Sequence, residues 1–204
     1  MAEKKSSFLT GIEKFMSRSY DSDKIQRIMG YAWIRYEELV AENQNEPKAM
    51  YIHTRERIYP GIAIFDAMIR AGITREEASA MIIAFYRWRS EKVARVIRKM
   101  FKIPMMYKIA PKLFYKATNK SFGKAAGFEG DFHETSKDLL RFDMTVCPYY
   151  DICKKYGCPE IVAAYCEADD VCYGDMHPYL KWERTKTLGK GGDCCDFCIR
   201  IAKY

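Results

Sequence analysis

All eight cysteines of this 204-residue chain fall between Cys147 and Cys198. A thiol can serve as nucleophile, metal ligand, redox partner or small hydrophobe, and spacing sorts these roles. Cys195 and Cys198 form a C-x-x-C. Three steps along a strand is an odd number, so the pair points to opposite faces and cannot hold one ion without a bulge. Cys147, Cys153, Cys158, Cys166 and Cys172 supply no second close pair. No metal site and no cofactor is therefore expected. A disulfide framework would need export, but Glu13 and Lys14 break the apolar run of Met1–Met16 and no cleavage site follows. The expectation is a cytoplasmic chain with reduced thiols.

Pro159–Tyr173 carries the most informative pattern. Val162, Cys166, Asp169, Asp170 and Tyr173 recur at steps of three and four, which puts a thiol and two carboxylates on one helical face. Such a face can line a pocket in which acids hold a cation or orient a base; the plainer reading is a solvated acidic face with a packed cysteine. Cys147 ends a strand-like run just before a helical segment, where a helix dipole would lower a thiol pKa; the plainer reading is a cap. Arg184 and Thr185 precede the turn Gly189–Asp193, whose amides together with the guanidinium could hold a carboxylate. The plainer role for Arg184 is an ion pair, for instance with Asp196. His133 and His177 flank the cysteine-rich segment as possible bases, although neither forms a sequence pattern with a thiol.

These residues need a frame. Asp21–Asn43, Ile58–Ala71 and Ala78–Phe101 read as helices, the last opened by the capping box Thr74–Glu77, and Lys112–Lys120 reads as another. From Leu140 to Cys147 the period drops to two, a half-buried strand. A helix over Tyr149–Tyr156 ends at Gly157, and another starts at Pro159. Leu180–Leu188 and Cys194–Ala202 then form a hairpin about the glycine turn. The expected fold class is α+β, with a helical N-terminal half and a C-terminal antiparallel sheet with packed helices. The chain divides softly into a helical region (1–125) and a cysteine-rich α+β region (126–204), read together as one unit.

The net charge of +7 is uneven: Phe85–Lys124 holds twelve Lys/Arg against the single Glu91. Such a block could touch nucleic acid or an anionic lipid surface. Read instead as a solvated helical face, it predicts neither a nucleic-acid nor a membrane partner, and no stretch is long and apolar enough to span a bilayer.

The ordered set Cys147-Pro148, Gly157, Pro159-Glu160, Cys166, Asp169, Arg184-Thr185, Thr187-Leu188 and Gly192-Asp193-Cys194-Cys195-Asp196-Phe197 resembles the L-2-amino-thiazoline-4-carboxylate hydrolase family. The resemblance is carried by roughly Phe128–Tyr204. It implies a small-molecule substrate whose sulfur–nitrogen ring is opened by water to a carbamoyl-cysteine. Because the substrate carries an amidine-like cation and a carboxylate, Asp169 and Asp170 suit the former. Arg184 and the turn amides, that of Gly192 included, suit the latter, and Thr185 and Asp196 beside them are further substrate-binding candidates. Cys147, Cys166 and Cys195 are the candidate nucleophiles, with His133 or an aspartate activating the attacking group. The C-terminal half also resembles vinyl reductase-like sensor domains, which implies the alternative of a zinc-containing, non-catalytic binding module.

Overall fold

The computed structural model describes residues 6–202, so that residues 1–5 of the N-terminal stretch lie outside the described residues. Its first part is helical: α1 Ser7–Met16, α2 Ser22–Glu42, the single turn α3 Tyr51–His53, α4 Tyr59–Arg70, α5 Arg75–Phe101 and α6 Ala110–Ser121. Side-chain caps start three of them. Ser6 accepts from the Leu9 amide, Asp21 from Lys24 and Thr74 from Glu77. The apolar stripe of α2, including Ile25, Ile28, Met29, Ala32 and Leu39, is buried. Gly72 (φ +82°) closes α4, with the Ile73 amide returning to the Met68 carbonyl.

Between α3 and α4 the helix widens into a π-turn, Thr54–Ile58. Pro60 supplies the local reason, since it has no N–H to give Glu56 and its ring crowds that carbonyl. Glu46 holds the widened turn from outside, accepting from Thr54 Oγ1 (2.9 Å), Arg55 Nε (3.1 Å) and Tyr59 OH (2.9 Å). The Arg57 carbonyl instead receives the hydroxyls of Tyr86 and Tyr165, each at 3.4 Å.

The second part is β1 Glu129–Thr135, β2 Leu139–Val146, α7 Pro148–Lys155, α8 Val162–Tyr173, β3 Leu180–Glu183 and β4 Cys195–Ile201. The strands form one antiparallel sheet in the order β1-β2-β4-β3. Register places Leu140, Phe142 and Met144 opposite Ile199, Phe197 and Cys195, so these share the buried face. Asp143, Asp196, Arg141 and Cys198 share the other. Phe142 and Phe197 stack with centroids 4.8 Å apart. One apolar core runs from Phe8 in α1 to Ile199 in β4.

The α+β class and the antiparallel sheet are as expected, but two features differ. β1 lies where no strand is expected, and it brings a bulge at His133, since Phe132 pairs with Phe142 and Glu134 with Arg141. The expected strand to Leu188 stops at Glu183, and no tight hairpin forms. Asp196 explains the break: its carboxylate takes the amides of Thr185 (2.9 Å) and Lys186 (2.8 Å) and the Thr185 hydroxyl (2.6 Å). Side-chain bonds thus replace the ladder, and the chain leaves the sheet.

Gly61, inside α4, shows how tightly α8 is pressed against the helical layer. A Cβ there would collide with the Tyr165 hydroxyl. Alanine normally stabilises a helix interior relative to glycine by about 1 kcal/mol. Gly61→Ala is expected to do the reverse, destabilising by about 1–3 kcal/mol through overpacking. Denaturant midpoints check this, and a raised midpoint would refute the close approach.

Candidate active site

The N-terminus of α7, the middle of α8, the start of β4 and the π-turn converge behind the buried face of the sheet. Cys147 is the N-cap residue of α7. The amides of Tyr149 and Tyr150 pull its pKa down, as a helix N-terminus should. Burial outweighs them, and the thiol is pushed up to about 12. Burial likewise pushes Cys166 up to about 11 despite the nearby Arg184 guanidinium. Cys195 is raised too, although its Sγ accepts from the Leu188 amide at 3.3 Å. The three sequence-selected thiols are near enough for Cys166 and Cys195 to raise Cys147, and for Cys195 to raise Cys166.

The segment after β3 seals this group. A Cβ on Gly189 would sit 3.3 Å from Cys166 Sγ and 2.8 Å from a Val162 methyl, so only glycine lets the segment lie this close. Leu188 and Gly189 thereby touch the thiols of Cys195 and Cys166 with adjacent residues. Arg184 is turned inward, its side chain only 5% exposed. It donates to Asp170 Oδ2 (2.7 Å) and to the Cys166 carbonyl (3.0 Å). Trp182 Nε1 takes the other Asp170 oxygen at 3.0 Å. Asp170 and Arg184 therefore satisfy one another.

Asp169, one residue away, is different. Its closest cation is Arg184 at 3.8 Å, and 44% of its side-chain surface remains accessible. Desolvation nevertheless lifts its carboxyl to about 6, against Arg184 and Arg57 and with help from Asp170. Asp169 thus keeps access to solvent while the protein around it disfavours its charged form.

The cation that sequence reasoning missed is Arg57. Burial alone would depress it. Tyr149, Tyr86 and Asp169 outweigh burial and raise its pKa, so it stays charged. One of its nitrogens donates to Tyr149 OH at 3.1 Å. Tyr149 OH lies 3.0 Å from His53 Nδ1, and His53 Nε2 lies 2.8 Å from the Ser121 carbonyl. Because a carbonyl only accepts, Nε2 carries the proton and Nδ1 accepts from Tyr149. Burial lowers the His53 pKa and keeps it neutral. This chain fixes the Tyr149 proton and leaves its oxygen lone pairs for Arg57.

Other sequence-selected residues stand apart from this group. His133, on β1, pairs with Asp143 at 2.9 Å on the outer face of the sheet, away from Cys195. Thr185 and Asp196 are joined to each other. Gly192 gives its amide to the Thr187 carbonyl at 2.9 Å, and the amides of Lys190 and Gly191 are also taken within the turn. Three of the turn's five amides are thus engaged within the turn itself. Cys198 faces away from Cys195, and among the described residues no three His, Cys, Asp or Glu side chains converge as a metal set. Two surface depressions, one between α1 and α2 and one beside Tyr107, contain no thiol.

In this α+β fold Asp169, a charged Arg57 and the thiols of Cys147, Cys166 and Cys195 are close enough to shift one another's pKa values. The family model described as L-2-amino-thiazoline-4-carboxylic acid hydrolase matches residues 51–199, and the chain belongs to that family. The match begins upstream of the residues that carry the sequence resemblance and takes in the π-turn with Arg57. No curated protein matches the chain. Among the described residues no helix is long and apolar enough to cross a membrane.

Proposed function

We propose that the protein hydrolyses a small cyclic substrate that joins an amidine-like cation to a carboxylate, 2-amino-thiazoline-4-carboxylate or a close analogue. The observation that carries this reading is Asp169: an accessible carboxylate whose pKa of about 6 suits a base near neutral pH. Arg57 receives the substrate carboxylate, because Arg184 is already occupied by Asp170. One Asp169 oxygen receives an N–H of the amidine, and the other takes a proton from water as that water adds to the ring carbon between nitrogen and sulfur. Collapse of the adduct breaks a ring bond from that carbon, and Asp169 returns its proton to the departing atom. One water is consumed, and a carbamoyl-cysteine results. Incubating the purified protein with the thiazoline and following carbamoyl-cysteine by mass spectrometry tests the reading; no turnover of it or of ring analogues would reject it.

The thiols have a separate role in this scheme. Protonated at neutral pH, they form a polarisable, weakly donating wall that keeps bulk water from the adduct. Cys166→Ser and Cys195→Ser are each expected to retain turnover. Loss of a covalent nucleophile would cost about a million-fold in kcat, judged from triad enzymes. A drop of that size in either variant would instead assign that cysteine to covalent catalysis.

A further inference from the structure

Of the large apolar side chains standing exposed among the described residues, eight of eleven lie between Val93 and Tyr115. On α5, Val93, Val96, Met100 and Ile103 follow one another at steps of three and four, continuing just past the helix end. Ile97 and Phe101 on the neighbouring face pack inward beside Ala110. Ile109, just before α6, and Leu113 within it are exposed as well. Between the two helices stands Met105, 59% exposed on a left-handed backbone of φ +67°. A non-glycine residue held there costs free energy; it turns the chain towards α6, its carbonyl accepting from the Lys108 amide at 3.0 Å, and it leaves an apolar side chain in solvent.

The same stretch carries the basic block. Its single acid, Glu91, reaches Arg98 at 3.7 Å. Among the described residues Lys99, Lys102, Lys108, Lys112 and Lys116 form no ion pair. A solvated helical face explains the lysines. It does not explain why Val96, at 66% exposure, and Ile103, at 52%, stand among them.

We propose that this surface docks the protein on an anionic lipid bilayer, the apolar row entering the headgroup boundary while the lysines meet lipid phosphates. An apolar ridge rimmed by cations is the composition of interfacial membrane binders. The charge argues against other occupants. Two copies would bring like-charged surfaces together, and aliphatic side chains gain nothing from a hydrated phosphodiester backbone. Docking of this kind is peripheral and needs no spanning helix.

Flotation of the full chain with phosphatidylcholine vesicles, with and without phosphatidylserine, tests the proposal. Binding is expected only to the anionic vesicles, weakening as salt rises. The triple variant Val96→Ser, Ile103→Ser, Met105→Ser, altered only at exposed positions, should lose about tenfold or more in affinity. Met105→Trp should show blue-shifted fluorescence on those vesicles. The proposal is overturned by a folded protein that ignores anionic vesicles at low salt, or by a triple variant that binds as well as the parent. Tighter binding to RNA than to vesicles would overturn it too, as would a dimer in sedimentation that the triple variant abolishes.

Discussion

Asp169→Asn is expected to cut kcat by about 10²–10⁴-fold, the usual worth of a positioned general base, while leaving the fold intact. Asparagine keeps the shape and the contact with the amidine but cannot take the water's proton. In the parent protein kcat/KM should climb with pH as Asp169 ionises through about 6, and this limb should vanish in the variant. Stability should move the other way. A carboxyl whose folded pKa is raised favours folding when protonated, so the parent loses that contribution as pH rises from the ordinary carboxylate range, about 4, through about 6. The variant has no such charge to bury. The melting temperature of Asp169→Asn should therefore match the parent at low pH and equal or exceed it above pH 6. A variant with parental kcat, or with a collapsed melting temperature at every pH, would contradict this assignment.

Arg57→Met is expected to raise KM by about 10- to 150-fold with a smaller change in kcat, the size of a lost charge-assisted hydrogen bond of 1.5–3 kcal/mol. The discriminating readout is substrate preference. The parent should favour the ring bearing a carboxylate over 2-aminothiazoline lacking it, and Arg57→Met should lose that preference. Arg57→Lys should not restore it, because one ammonium cannot serve both Tyr149 OH and a carboxylate in forked geometry. Unchanged discrimination in Arg57→Met would move the anion site elsewhere.

The structure and the sequence agree where the cause is local. The Thr74 cap, the alternation through Leu140–Val146 and the shared helical face of Cys166, Asp169 and Tyr173 all follow from short-range periodicity, and each stands in the fold. That face contains the Asp169 carboxylate on which the functional reading rests. What escaped depends on distant partners. Arg57 acquires its place because a π-turn is braced by Glu46 and capped by two tyrosines from α5 and α8. Only Pro60 hints at it locally. β1 escapes because Gly130 and the bulge at His133 interrupt its alternation. Cys147 stands at a helix N-terminus as expected, but the sign of its pKa shift is decided by burial, which position along a chain does not reveal. Asp170 and Arg184 read as substrate ligands until their mutual pairing with Trp182 is seen. With them engaged, the proposed function rests on Asp169 and Arg57.

The most direct test is a ligand-bound structure of the Asp169→Asn protein with 2-amino-thiazoline-4-carboxylate. The substrate carboxylate should lie on Arg57, with the amidine edge towards residue 169 and the ring against Cys166 and Cys195. A ligand seated instead beside His133 on the outer sheet face, or in the depression between α1 and α2, would contradict the account.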